Sequence, residues 1–186
     1  MRAALLTALA LILPVAAFAS PPPQRLTHIW EDRRPKPRGE ELMRSTMIMA
    51  HNQARARYGV APLVWDQSLA RDARAYVQHL ARTGRFEHDP RLGPRLPQGE
   101  NLWMGTLTAY SYAQMIGHLV NERRFYQPGR FPNVSRTGEW SHVAHYTQII
   151  WPTSQRVGCA TASNRNHDFL VCRYWPAGNI VGTVLR

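Results

Sequence analysis

Between Asp66 and Gly84, Leu69, Ala73, Tyr76, Val77 and Leu80 fall on one face of a 3.6-residue repeat. This predicts an amphipathic helix capped by Asp66 and closed by Gly84. An earlier helix is predicted from a Ser45 cap through His51 to about Tyr58, ended by Gly59, with a loop forced by Ala61-Pro62. Pro90, Gly93, Pro94, Pro97 and Gly99 mark residues 85–99 as loop. A third helix is expected from a Thr108 cap to about Tyr126, with Tyr112, Ile116, Leu119 and Val120 facing inward. A short fourth runs from Ser141 to Trp151 and stops at Pro152. The period then changes to that of strands at residues 157–161 and 169–174, joined by a polar turn around Asn164-Arg165-Asn166. Residues 99–104 and 180–184 are weaker strand candidates. Helices first, strands late and no βαβ alternation imply an α+β fold with no internal repeat.

The N-terminus belongs to none of these elements. Arg2, the apolar run from Ala3 to Ala17 and the small-x-small triplet Ala17-Phe18-Ala19 make residues 1–19 a signal peptide. A membrane anchor would need roughly 20 apolar residues, and Pro14 interrupts this shorter run. Residues 20–40, with Pro21-Pro22-Pro23 and Arg33-Arg34-Pro35-Lys36-Pro37-Arg38, form a Pro/Arg-rich flexible lead-in. Residues 41–186 then form one domain. The protein is expected to be secreted, to the medium or a periplasm. Its formal net charge of +11 favours an anionic membrane or cell-envelope surface as partner. The scattered arginines carry no nucleic-acid motif, so no nucleic-acid partner is expected.

Cys159 and Cys172 are the two cysteines. In an oxidising compartment they most simply form a disulfide clipping the two late strands, stabilising by on the order of 3 kcal/mol. The chain lacks a GxSxG elbow, an HExxH pair, a Gly-rich phosphate loop and a free nucleophilic cysteine. What stands out is a set of histidines and acids: His88 in Phe86-Glu87-His88-Asp89, Glu100 in Gly99-Glu100-Asn101-Leu102, Glu122, and His145 in His145-Tyr146-Thr147-Gln148.

These surroundings resemble a known family. Ala144-His145-Tyr146-Thr147-Gln148-Ile149-Ile150-Trp151 is similar to the first signature of the CAP superfamily, which groups cysteine-rich secretory proteins, antigen 5 and pathogenesis-related proteins around an SCP domain. Phe169-Leu170-Val171-Cys172-Arg173-Tyr174-Trp175-Pro176-Ala177-Gly178-Asn179 is similar to the second. His51-Asn52-x-x-Arg55, Pro62-Leu63-x-Trp65, Gly99-Glu100-Asn101-Leu102 and Val157-Gly158-Cys159-Ala160 match in the family's order, so the resemblance covers residues 43–183. It implies a three-layer α-β-α sandwich with a central cleft holding two histidines and two acids, here His88, Glu100, Glu122 and His145. It further implies that His88 and His145 bind a divalent metal, most often zinc. Leu119 stands where the family usually has Trp, Ala144 replaces a glycine, and His88 is placed only by its position between the second helix and Gly99. Few cysteines and no appended cysteine-rich module are features similar to single-domain bacterial members.

Neutral imidazoles suit zinc, and carboxylates can orient their rings or hold a bound water. The alternative is that each His–Glu pair is simply a buried hydrogen-bonded pair. His142 and His118 are competing ligands, better read as surface or satisfied histidines. His51, Asn52 and Arg55 read as a buried polar network between helix and sheet. Trp65, Trp103 and Trp151 read as core aromatics, although Trp103, Tyr110 and Tyr112 could instead line an apolar ligand pocket. The leading functional expectation is a monomeric, non-catalytic binding protein for lipid, sterol-like or envelope ligands. A metal-dependent hydrolase using Glu100 or Glu122 as general base is the alternative, and a factor acting by protein contact alone is the third.

Overall fold

A computed structural model describes residues 36–93 and 97–186, so the expected signal peptide and most of the expected lead-in lie outside the described residues. Helix α1 (Glu40–Ala56) buries Met43, Met47, His51 and Ala54 along one stripe. That stripe begins before Ser45, so the helix is already running there. Ser45 is therefore no cap, and its hydroxyl instead donates to the Glu41 carbonyl at 2.8 Å. Glu40 and Glu41 supply negative charge to the first turn. Strand β1 (Val64–Trp65) follows, and then α2 (Gln67–Thr83). The Asp66 carboxylate accepts from the Ser68 and Leu69 amides, and Gly84 closes the helix in the left-handed conformation. Leu69, Ala73, Tyr76, Val77 and Leu80 are all buried, as their spacing predicts.

Strand β2 (Gly99–Thr106) leads to α3 (Tyr112–Asn121). The expected Thr108 cap is displaced to Ser111, which forms a reciprocal capping box with Gln114. Thr108 sits in a turn at φ 61°. The helix also ends earlier than Tyr126, giving way to a 3-10 turn at Glu122–Phe125. Strand β3 (Gly129–Arg130) comes next, then a 3-10 turn at Trp140–Val143, which contains Ser141, and α4 (Ala144–Ile149). Strands β4 (Arg156–Ser163) and β5 (His167–Trp175) outrun their predicted ends, and only β6 (Val184–Leu185) forms where residues 180–184 are expected to be extended.

The main sheet runs β1-β4-β5-β2, with β1 parallel to β4 and the other pairs antiparallel. β5 is paired on both sides and buried on both faces, which is why it reads as an apolar run. Alternation divides the core. Leu102, Ala160, Phe169 and Val171 pack on α2, while Trp103, Val157, Cys159, Leu170, Cys172 and Tyr174 pack under α1, α3 and α4. The outcome is the three-layer α-β-α arrangement of an α+β sandwich. Cys159 and Cys172 are directly opposed across β4 and β5 and form the disulfide, with Cα atoms 4.1 Å apart. Among the described residues, no helix is long and apolar enough to cross a membrane.

Candidate functional site

The site grows from β2, the edge strand of the sheet. A Cβ on Gly99 would overlap the Gln148 side-chain amide, so glycine lets the start of β2 press against α4. Beyond it, Glu100 faces the α2 side and Asn101 the opposite side, as successive strand residues must.

Glu100 is the buried half of the first pair. Its Oε1 accepts from His88 Nδ1 at 2.7 Å and from the Asp89 amide at 3.1 Å. Its Oε2 lies 2.9 Å from the Arg173 guanidinium. The Glu100 side chain is 1% exposed and that of His88 64%, so a fixed carboxylate holds an imidazole open to solvent. Arg173, fully buried, also bonds Asp89 at 2.7 Å and lies over the Tyr76 ring, 5.2 Å from its centroid. The Tyr76 hydroxyl donates to the Glu87 carbonyl and ties down the loop carrying His88. Burial, reinforced by neighbouring carboxylates, pushes the Tyr76 phenol up to about 12. Burial alone would raise Asp89. Hydrogen bonds from Arg91 and Arg173 outweigh it and hold the Asp89 carboxyl well below the usual carboxylate range.

The second pair begins where α3 ends. Helix α4 has no side-chain cap of its own, and Glu122 supplies the missing acceptor. Its Oε2 takes the amides of His145 at 3.0 Å and Tyr146 at 3.1 Å. Its Oε1 accepts from His145 Nδ1 at 2.5 Å. The structure thus assembles His88 with Glu100 and Glu122 with His145. Asn101 links them, because its side-chain amide donates to the His145 carbonyl at 3.0 Å.

That amide also donates to the Tyr174 hydroxyl, which contacts His51 Nε2 at 2.8 Å, while His51 Nδ1 donates to the Met47 carbonyl. His51 therefore joins helix to sheet through its acceptor nitrogen. Burial lowers its pKa to about 4, so it is neutral in the fold. Arg55 is buried too, bonding the carbonyls of Ala61, Ile149, Trp151 and Ser154. Asn52 bonds Leu63 through both backbone groups and does not reach the sheet proper.

In both pairs a carboxylate lies against Nδ1, and among the described residues neither Nε2 has a hydrogen bond. Two such imidazoles suit a borderline-soft divalent ion, and carboxylate-oriented histidine is the usual supporting arrangement. Among the described residues, no three of His, Cys, Asp and Glu gather as a metal-holding group. His142 bonds Thr137, and His118 accepts from the Trp103 indole at 2.9 Å, so neither joins the pairs. Trp103 is buried against Tyr110 and His118. Of the three residues expected to line an apolar pocket, Tyr112 borders a cavity of about 320 Å3, but Glu40, Arg74, Gln78 and Thr161 share its lining and make it polar. A second cavity of about 520 Å3 lies between Tyr58, Ile150 and Leu185. None of His88, Glu100, Glu122 and His145 lines either.

Sequence reasoning missed Asp89, Arg173 and Tyr76 as parts of the site. The one available signal was Arg173 itself, an arginine inside an apolar strand, which demands a buried acid nearby.

The model of the cysteine-rich secretory protein family matches residues 48–174. A PR-1-type pathogenesis-related protein from Sambucus nigra is 37% identical over 138 residues, covering 73% of this chain and 77% of that one. Pathogenesis-related protein 1C of Nicotiana tabacum is 37% identical over 134 residues, covering 72% and 74%. The crystal structure of NaASP2 with Zn2+ is similar in fold, with a TM-score of 0.65 at 22% identity over 80% of this chain and 88% of that one. BmVAL-1 is similar at a TM-score of 0.63 and 21% identity, covering 81% and 84%.

Proposed function

We propose a function from one premise: the chain belongs to the cysteine-rich secretory protein (CAP) family. On that premise it is an exported binding protein, not a catalyst. Its cleft holds a divalent metal on His88 and His145, and its basic exterior brings it to anionic lipid or envelope surfaces. The observation carrying this reading is the shared wiring of the two histidines, each held through Nδ1 by a glutamate and, among the described residues, each with no hydrogen bond at Nε2. A metal bound there would supply a Lewis-acid anchor for an anionic or carbonyl group of a ligand. NaASP2, similar in fold, has been crystallised with Zn2+, which makes zinc the ion to test first.

The carboxylates favour binding over hydrolysis. A hydrolytic general base needs an oxygen free to take a proton from water. Both oxygens of Glu100 face His88, the Asp89 amide and Arg173, and both oxygens of Glu122 serve His145 and the α4 amides. Each glutamate is a positioning residue for its histidine.

Elemental analysis of the full chain, purified without chelator and equilibrated with zinc, tests the metal. We expect about one ion per chain, lost in His88→Ala and in His145→Ala. Zinc-free wild type, or full retention in both variants, overturns the reading. Turnover of an ester, peptide or glycan panel that disappears on chelation and in His145→Ala would replace it with the hydrolase.

A further inference from the structure

One face of the molecule concentrates exposed apolar side chains. Val181 is 76% exposed, Ile180 54%, Val184 50% and Trp140 45%. Scattered exposed hydrophobes need no explanation, but a contiguous group does. Backbone pairing brings these together. Arg130 is in register with Val184, the Phe131 amide donates to the Thr183 carbonyl at 2.8 Å, and the Gly182 amide to the Phe131 carbonyl at 2.9 Å. The Phe131 ring meets Trp140 edge-on at 5.5 Å. Residues 180–184 thus form a turn braced against residues 129–131, with Trp140 beside it. Gly182, at φ 88°, makes the turn tight enough to present Ile180 and Val181.

The charge around this turn is one-sided. Between Glu122 and Glu139, and after Asp168, the chain has no acidic residue. Arg130 braces the turn by donating to the Gly182 carbonyl at 2.5 Å. Arg136 lies in the loop leading to Trp140, and Arg186 follows β6. All three are exposed, and among the described residues none forms an ion pair with a carboxylate. Glu139 immediately precedes Trp140 in the chain.

We propose that this turn is the tip by which the protein docks on an anionic lipid bilayer. Ile180, Val181 and Trp140 enter the headgroup boundary, and Arg130, Arg136 and Arg186 meet the phosphates. Aliphatic side chains on a narrow turn bury their area in acyl chains, tryptophan favours the interface, and each nearby arginine adds electrostatic attraction. The inference rests on the surface-binding reading above and narrows it to lipid and to this face. A soluble anionic polymer would be held by the arginines and would be indifferent to the tip.

Cosedimentation of the full chain with phosphatidylcholine vesicles, with and without phosphatidylglycerol, tests it. Wild type should bind the anionic vesicles and bind pure phosphatidylcholine far more weakly. Ile180→Ser/Val181→Ser, with an unchanged melting midpoint, should weaken anionic-vesicle binding at least about tenfold, because two exposed aliphatic groups lose their burial. Quenching by brominated lipid should disappear in Trp140→Phe. Anionic-vesicle binding that is indifferent to the tip substitutions overturns the tip and leaves charge-driven surface binding standing. No binding of wild type to anionic vesicles overturns both.

Discussion

Acid sensitivity should be set in large part by His51, a residue outside the cleft. Its ring is fully buried, donates through Nδ1 to Met47 and uses Nε2 as acceptor for the Tyr174 hydroxyl, so the fold needs the neutral form. Burial takes its pKa from 6.5 to about 4. The sign follows from proton counting. Above the unfolded value neither state carries the proton. Below it the unfolded chain binds a proton that the native chain refuses, so stability falls as pH falls. The contribution is complete above about pH 6.5 and gone near pH 4, a loss of about 3 kcal/mol at 1.36 kcal/mol per pH unit. His51→Gln removes the titration while keeping an acceptor for Tyr174. Near neutral pH the variant should be less stable by about 1–2 kcal/mol, from imperfect hydrogen bonding. Urea denaturation followed by tryptophan fluorescence, repeated at pH values between 7 and 4, should show that gap closing and then reversing by about 3 kcal/mol in total. Distant groups titrate alike in both chains and cancel in the difference. A gap constant with pH would refute the reasoning.

Four further outcomes follow from close packing and from the polar groups. Gly158→Ala would drive a Cβ into the backbone of α2 at Asp66, Leu69 and Ala70, and should cost about 3 kcal/mol or more in a thermal melt. Gly117→Ala, inside α3 with nothing within 4 Å of the new methyl, should instead raise stability by about 0.5–1 kcal/mol. Arg55→Met takes the guanidinium away from four carbonyls, of which that of Trp151 keeps the Ser154 amide as donor. It should cost about 3–5 kcal/mol, and Arg55→Lys should recover little because a point charge cannot reach all four. Glu122→Gln should weaken zinc binding by about 10–100-fold in calorimetry, since an amide holds the His145 ring less firmly. Unchanged zinc affinity in a folded Glu122→Gln chain would count against the orienting role.

The helices divide by how locally they are encoded. Cap, apolar stripe and terminating glycine of α2 all lie between Asp66 and Gly84, so its limits could be read directly. The starts of α1 and α3 could not. Thr108 and Ser111 both precede the third apolar stripe, and the choice falls on Ser111 because Gln114 completes the box three positions on. At α1 the stripe begins at Met43, ahead of the only hydroxyl considered. The disulfide was legible because two cysteines permit one pairing, and the register of β4 on β5 places them face to face. The ion network below His88 was not. Arg173 meets Asp89 and Glu100 from positions 84 and 73 residues away in the chain, and no local pattern encodes such an encounter.

The same contacts explain why the cleft residues carry two duties. Glu122 provides the terminal acceptor that α4 lacks, so the fold requires a carboxylate there whether or not a ligand binds. Glu100 anchors the Arg173 charge and the amide of the His88 loop, so the fold requires it as well. Neither requirement accounts for an imidazole against each carboxylate. His88 is largely exposed and among the described residues bonds only Glu100, so its ring contributes little that a bound water could not. An exposed imidazole held in one tautomer by a buried carboxylate is costly in side-chain entropy and adds little stability. The second pair differs in burial, with His145 31% and Glu122 19% exposed, but repeats the Nδ1–carboxylate contact, and Asn101 links the two, as the proposed two-point site requires. The glutamates are accounted for by folding. The two free Nε2 atoms are not, and they are where ligand chemistry should be sought first.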